Sequence, residues 1–120
     1  MGNKKIFLVE DQTIIALDIF NILHKEGFSD ISLVRNISQL SEKILFELPD
    51  LIIFDLSQNS EKPIITFINT VCTKQKLPFF IITSQSIDRI EKLIEVSKNI
   101  FVSKPFREED VISAVNTILN

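Results

Sequence analysis

The chain is read as a three-layer α/β domain: a doubly wound, five-stranded parallel sheet with helices on both faces. Three observations predict this. Short apolar runs rich in Ile, Val and Phe recur along the chain. Between them, apolar residues return at intervals of three and four. The two kinds of segment alternate from end to end, which right-handed crossovers turn into a sheet covered on both sides.

The runs are Lys5 to Val9, Ile31 to Val34, Leu51 to Phe54, Phe79 to Thr83 and Ile100 to Ser103. They show little polar alternation, as expected of strands buried on both faces. Ile15, Ile19, Ile22 and Leu23 mark the first helix by their shared face. Leu40, Ile44 and Leu48 mark the second, with Ser38 as its expected N-cap and Pro49 and Asp50 closing it. Pro63 opens a third helix carrying Ile64, Phe67, Ile68 and Val71. Ile87, Ile90, Leu93 and Ile94 form a fourth behind a cap at Ser86. Val111, Val115 and Ile118 mark the last, whose first turn holds Glu108, Glu109 and Asp110 where the helix dipole favours acids.

Length and composition agree with one domain over residues 1–120, with no output domain expected in this chain. The chain is 45% hydrophobic and 24% charged, the balance of a packed protein rather than a disordered tail. A net charge of -3 with interleaved signs argues against direct nucleic-acid binding. No apolar run approaches the roughly 20 residues that span a bilayer, and Met1 to Lys5 lead into a strand without a signal-peptide core, so a cytoplasmic location is expected. The sixth residue, Ile6, does not fit a myristoylation signal at Gly2. Cys72 has no disulfide partner and is read as an apolar filler, and His24 as a surface helical residue.

In open α/β sheets, ligands bind beyond the carboxyl ends of the strands. Glu10 and Asp11 follow strand one, Asp55 follows strand three, Thr83 and Ser84 end strand four, and Lys104 precedes Pro105 after strand five. Carboxylates gathered at one sheet end repel unless a cation intervenes. A hard divalent ion that takes oxygen ligands and shares them with a phosphoryl group answers that need. Asp55 is also placed to act as a carboxylate nucleophile toward a phosphoryl donor, with Lys104 neutralising charge and Thr83 donating a hydrogen bond.

These residues in this order resemble the receiver domains of two-component response regulators, over essentially the whole chain. The resemblance is carried by Phe7-Leu8-Val9-Glu10-Asp11, Leu51-Ile52-Ile53-Phe54-Asp55-Leu56, Phe80-Ile81-Ile82-Thr83-Ser84 and Phe101-Val102-Ser103-Lys104-Pro105-Phe106. It implies a flavodoxin-like (βα)5 fold with strand order 2-1-3-4-5. By resemblance, Asp55 is the phosphoacceptor, while Glu10, Asp11, Asp55 and the backbone carbonyl of Ser57 hold Mg²⁺ or Mn²⁺. Thr83 and Lys104 contact the phosphoryl group, Thr83 and Phe101 act in the switch, and the Lys104-Pro105 bond is cis. Ser57 and Gln85 occupy the positions that tune phosphoryl lifetime; neither is acidic, so slow self-hydrolysis is expected. A sensor histidine kinase or a histidine phosphotransfer protein is the expected donor, and a downstream protein or an output domain on another segment the expected recipient of the signal. The chain is then a switch rather than a turnover enzyme.

Some positions depart from the family pattern. Asn59 and Pro63 stand where Pro and Gly are usual, making the loop from Ser57 to Lys62 atypical, and Lys98 and Asn99 replace a small-residue pair before strand five. The loop leaves room for a second reading, a pseudo-receiver that signals through constitutive contacts. A flavodoxin-like or nucleotide-binding enzyme ranks last, because no Gly-rich phosphate loop follows strand one. Many relatives dimerise through the fourth helix, fifth strand and fifth helix; here that surface mixes Lys92, Glu95, Lys98, Glu108 and Glu109, which leaves a homodimer open.

Overall fold

A computed structural model describes residues 4–96 and 99–120. The readings made for Met1, Gly2, Asn3 and Lys98 fall outside the described residues. In chain order the elements are β1 (Lys5–Val9), α1 (Thr13–Lys25), β2 (Asp30–Val34), α2 (Ile37–Ile44) and β3 (Leu51–Leu56). They continue with α3 (Glu61–Phe67), β4 (Phe79–Thr83), α4 (Ile87–Leu93), β5 (Phe101–Ser103) and α5 (Glu108–Leu119). Helix α3 runs on through a π turn, Ile68–Cys72, into a last turn at Thr73–Gln75. All strand pairs are parallel, in the expected order β2-β1-β3-β4-β5.

Side chains alternate across a strand, so each strand feeds two cores. Phe7, Val9, Ile52, Phe54 and Ile81 face one layer with Leu40 and Ile44 of α2, Ile64 and Phe67 of α3, and Ile90 of α4. Ile6, Leu8, Ile53, Phe80 and Val102 face the other with Ile19 and Leu23 of α1 and Val111 and Val115 of α5. Every residue of β3 is buried, which explains its unbroken apolar run. The edge strands β2 and β5 are only partly covered.

Four helix boundaries differ from expectation. Asn36, not Ser38, caps α2: its Oδ1 accepts from Gln39 N at 2.9 Å, while Gln39 Oε1 accepts from Arg35 N at 2.9 Å. The Asn36 amide thereby satisfies a backbone N–H of the first turn, and the Gln39 side chain satisfies the one just ahead of the cap. Helix α2 then ends at Ile44, leaving Leu48 outside it and 59% exposed. Leu45 N and Phe46 N donate to carbonyls three residues back, so the last turn tightens and stops, and the residue before Pro49 is kept from helical geometry. Helix α3 starts at Glu61, two residues ahead of Pro63. Proline is tolerated there because the N–H groups of a first turn have no partner within the helix. Ile94 lies just beyond α4 in extended backbone but is buried as its apolar character requires. The Ser86 cap is as expected, accepting from Arg89 N.

Helix α4 is tied to α3 at both ends. Arg89 forms a bidentate pair with Glu61, at 2.6 and 2.7 Å. Asn69, carried by the π turn, donates to Leu93 O and accepts from Glu95 N, each at 2.9 Å. No described helix is long and apolar enough to cross a membrane.

Candidate functional site

Val9 of β1 pairs in register with Phe54 of β3, so the next residues on the two central strands, Glu10 and Asp55, stand side by side. Alternation turns both toward the layer that holds Leu8 and Ile53. Asp55 lies within β3 rather than just after it, since the strand runs on to Leu56, and only 4% of the residue is exposed. Glu10 is also buried. One of its oxygens accepts from Gln12 N at 3.1 Å.

Lys104 reaches Asp55 from the β5 edge of the sheet, Nζ to Oδ1 at 2.5 Å. Its backbone N donates to Thr83 O at 3.0 Å, which fixes it at the carboxyl end of β4, and the Lys104-Pro105 bond is cis as the resemblance implied. Thr83 is buried, and its Oγ1 accepts from Gln85 N at 2.9 Å. The hydroxyl proton is thereby left to donate elsewhere. Phe101, paired with Ile81, is half-buried against the α2, α3 and α4 layer.

The acids are poorly satisfied by the protein. Glu10 Oε1 and both Asp55 carboxyl oxygens are buried without a hydrogen bond of normal geometry, although Oδ1 has the Lys104 charge beside it. Burial, with the Asp55 carboxyl as next largest cause and a smaller push from Asp11, raises the Glu10 carboxyl from its ordinary 4.5 to about 8. Orphaned, oxygen-only and anionic, this donor set suits a hard cation. Asp11 is exposed at the rim, and among the described residues no three His, Cys, Asp or Glu side chains are gathered as a metal cluster. The Ser57 carbonyl accepts from Ser60 N at 3.1 Å and from Ser60 Oγ at 3.4 Å, so the atypical loop is closed by its own turn.

Beside the acids opens a cleft of about 390 Å³ lined by Glu10, Asp11 and Asp55 with Arg35, Asn36 and Asn59 among others. Arg35, directly after β2, is not among the residues the sequence predicts for the site. The same rule of strand ends points to it.

A family model described as the response regulator receiver domain matches residues 6–116. The chain belongs to the response regulator receiver family. The receiver is 23% identical over 113 residues to the transcriptional regulatory protein PdtaR of Mycobacterium tuberculosis, covering 93% of this chain and 55% of that one. It is 26% identical over 118 residues to the chemotaxis protein CheY of Bacillus subtilis, covering 97% and 98%. Among solved structures it superposes on the chemotaxis response regulator CheY4 of Vibrio cholerae with a TM-score of 0.76, at 16% identity, covering 97% and 98% of the two chains. The receiver thus spans about half of PdtaR but nearly all of CheY.

Proposed function

We propose that this receiver is a phosphorylation switch in which Asp55 takes a phosphoryl group from a histidine kinase or a histidine phosphotransfer protein. The observation that carries the reading is the Asp55 carboxylate itself. It is buried at the floor of an open cleft, short of hydrogen bonds, with an ammonium against one oxygen and a second acid at its side.

Glu10, Asp11, Asp55 and the Ser57 carbonyl would hold Mg²⁺ or Mn²⁺, which when bound supplies the positive charge that phosphoryl oxygens and crowded carboxylates both need. The rest is done by the chain. An Asp55 oxygen attacks phosphorus, the bond from phosphorus to the donor nitrogen breaks, and an acyl phosphate forms at the end of β3. Lys104 exchanges its pairing with Asp55 for a phosphoryl oxygen, and Thr83 donates its hydroxyl proton to another. Thr83 and Lys104 meet through the Lys104 N to Thr83 O bond, so their shift is passed to β5 and Phe101 and from there to a protein partner or output domain. With Ser57 and Gln85 at the tuning positions, no acid is positioned to assist hydrolysis, and a long-lived adduct is expected.

A second reading, a constitutive pseudo-receiver, is favoured by one observation: the Ser57 carbonyl expected to face the cation is engaged by Ser60. One experiment separates them. Incubation with acetyl phosphate and Mg²⁺, followed by intact mass, should give a single phosphoryl adduct that does not form when chelator is present from the start or in Asp55→Asn. A pseudo-receiver would give none in either protein.

A further inference from the structure

Arg35 follows β2 directly and lines the same cleft as Glu10 and Asp55. The strand order places it on the flank opposite Lys104, with the acids between the two cations. Lys104 is engaged by Asp55. The Arg35 guanidinium has no ion pair or hydrogen bond among the described residues, and only its backbone N–H is used, in the bond to Gln39. Because Gln39 is itself held by Asn36, the arginine is pinned at its Cα and free at its tip. A cation fixed in this way at the rim of an anionic cleft is free to meet an anion entering it.

The chemistry of transfer says which anion. In an in-line displacement the leaving group points away from the attacking oxygen, hence out of the floor and into the cleft. With an acyl phosphate donor, an Asp55 oxygen bonds to phosphorus and the bond from phosphorus to the acyl oxygen breaks. Its electron pair leaves with the acyl part, which departs as a carboxylate without needing a proton. Of the two cations that flank the acids, Lys104 is taken up by Asp55, so a carboxylate leaving outward through the cleft has Arg35 to meet it. A guanidinium fork matches a carboxylate in two-point geometry.

We propose that Arg35 recognises the carboxylate released when a small acyl phosphate phosphorylates Asp55, which makes the receiver favour, among small-molecule donors, those with an anionic leaving group. The inference rests on Asp55 being the phosphoacceptor. Phosphoramidate is the control donor, because its nitrogen is already protonated and leaves as neutral ammonia.

The test compares initial rates of adduct formation by intact mass, with Mg²⁺, for the unaltered chain, Arg35→Gln and Arg35→Lys, using acetyl phosphate and phosphoramidate in parallel. Arg35→Gln should slow the acetyl phosphate reaction about tenfold, the scale of one charge-assisted pair, and leave the phosphoramidate rate within about twofold. Arg35→Lys should recover part of the acetyl phosphate rate alone. Equal slowing with both donors, or with neither, overturns the role of Arg35. If the unaltered chain takes a phosphoryl group from neither donor, Asp55 is not the acceptor, and the inference falls with that reading.

Discussion

Glu10 shows how one buried group can make folding depend on pH. In the unfolded chain its carboxyl releases a proton near 4.5, whereas in the fold burial and the Asp55 carboxyl hold that proton to about 8. Between those values the folded state binds more protons than the unfolded state, so stability falls as pH rises through the window, and the loss is complete above it. Urea denaturation of chelator-treated protein should therefore give a lower midpoint at pH 8.5 than at pH 5.5. Asp55→Asn, which removes the neighbouring charge, should flatten that slope and raise the midpoint at the alkaline end. A rising slope in the unaltered protein would contradict the placement of the two acids. Cys72 is the opposite case, an ionisable group with no electrostatic partner. Burial alone pushes its thiol up to about 12, so a disulfide reagent should leave the native protein unmodified and react with one thiol after denaturation.

At the scale of elements, the polar ties between helices and loops are open to direct test. Asn36→Ala removes the α2 cap and should cost about 1 kcal/mol, read as a shift in the denaturation midpoint at constant slope. Asn69→Ala should cost about 1 to 2 kcal/mol, because it removes the two bonds that tie the π turn of α3 to the end of α4. Amide exchange should quicken around Glu95 before it does in β3. Uniform quickening would mean that α4 is held by its apolar face alone. The Arg89 pair with Glu61 lowers the Glu61 carboxyl below its ordinary value, but the arginine is exposed, and high salt should weaken this tie before the Asn69 one. These elements also show what a sequence carries. The central strands were legible because burial on both faces leaves a continuous apolar run, and α1 and α5 because their buried residues keep helical spacing. The π turn, the Asn36 cap and the early end of α2 were not, since each depends on which hydrogen bonds compete locally rather than on apolar spacing.

Over the whole molecule, the sheet order converts residues far apart in the chain into neighbours. That Glu10, Asp55, Thr83 and Lys104 gather at one edge of the sheet was legible because each ends or follows an apolar run, and parallel strands put all those ends together. Their pairing was not legible. That Lys104 sits on Asp55, that Glu10 stands beside it, and that Ser57 closes on Ser60 follow from register and loop geometry. The surface formed by α4, β5 and α5 offers no single sign of charge, and Glu108 on it is already paired with Lys25 of α1 at 3.0 Å. The central claim is that this edge directs a phosphoryl group to one carboxylate. Borohydride trapping tests it most directly, because an acyl phosphate is reduced to an alcohol at the residue that carried it. After treatment with acetyl phosphate and Mg²⁺, peptide sequencing should find homoserine in place of Asp55 and at no other position. Trapping at Glu10 or Asp11, or no trapping anywhere in a protein still folded, would contradict it.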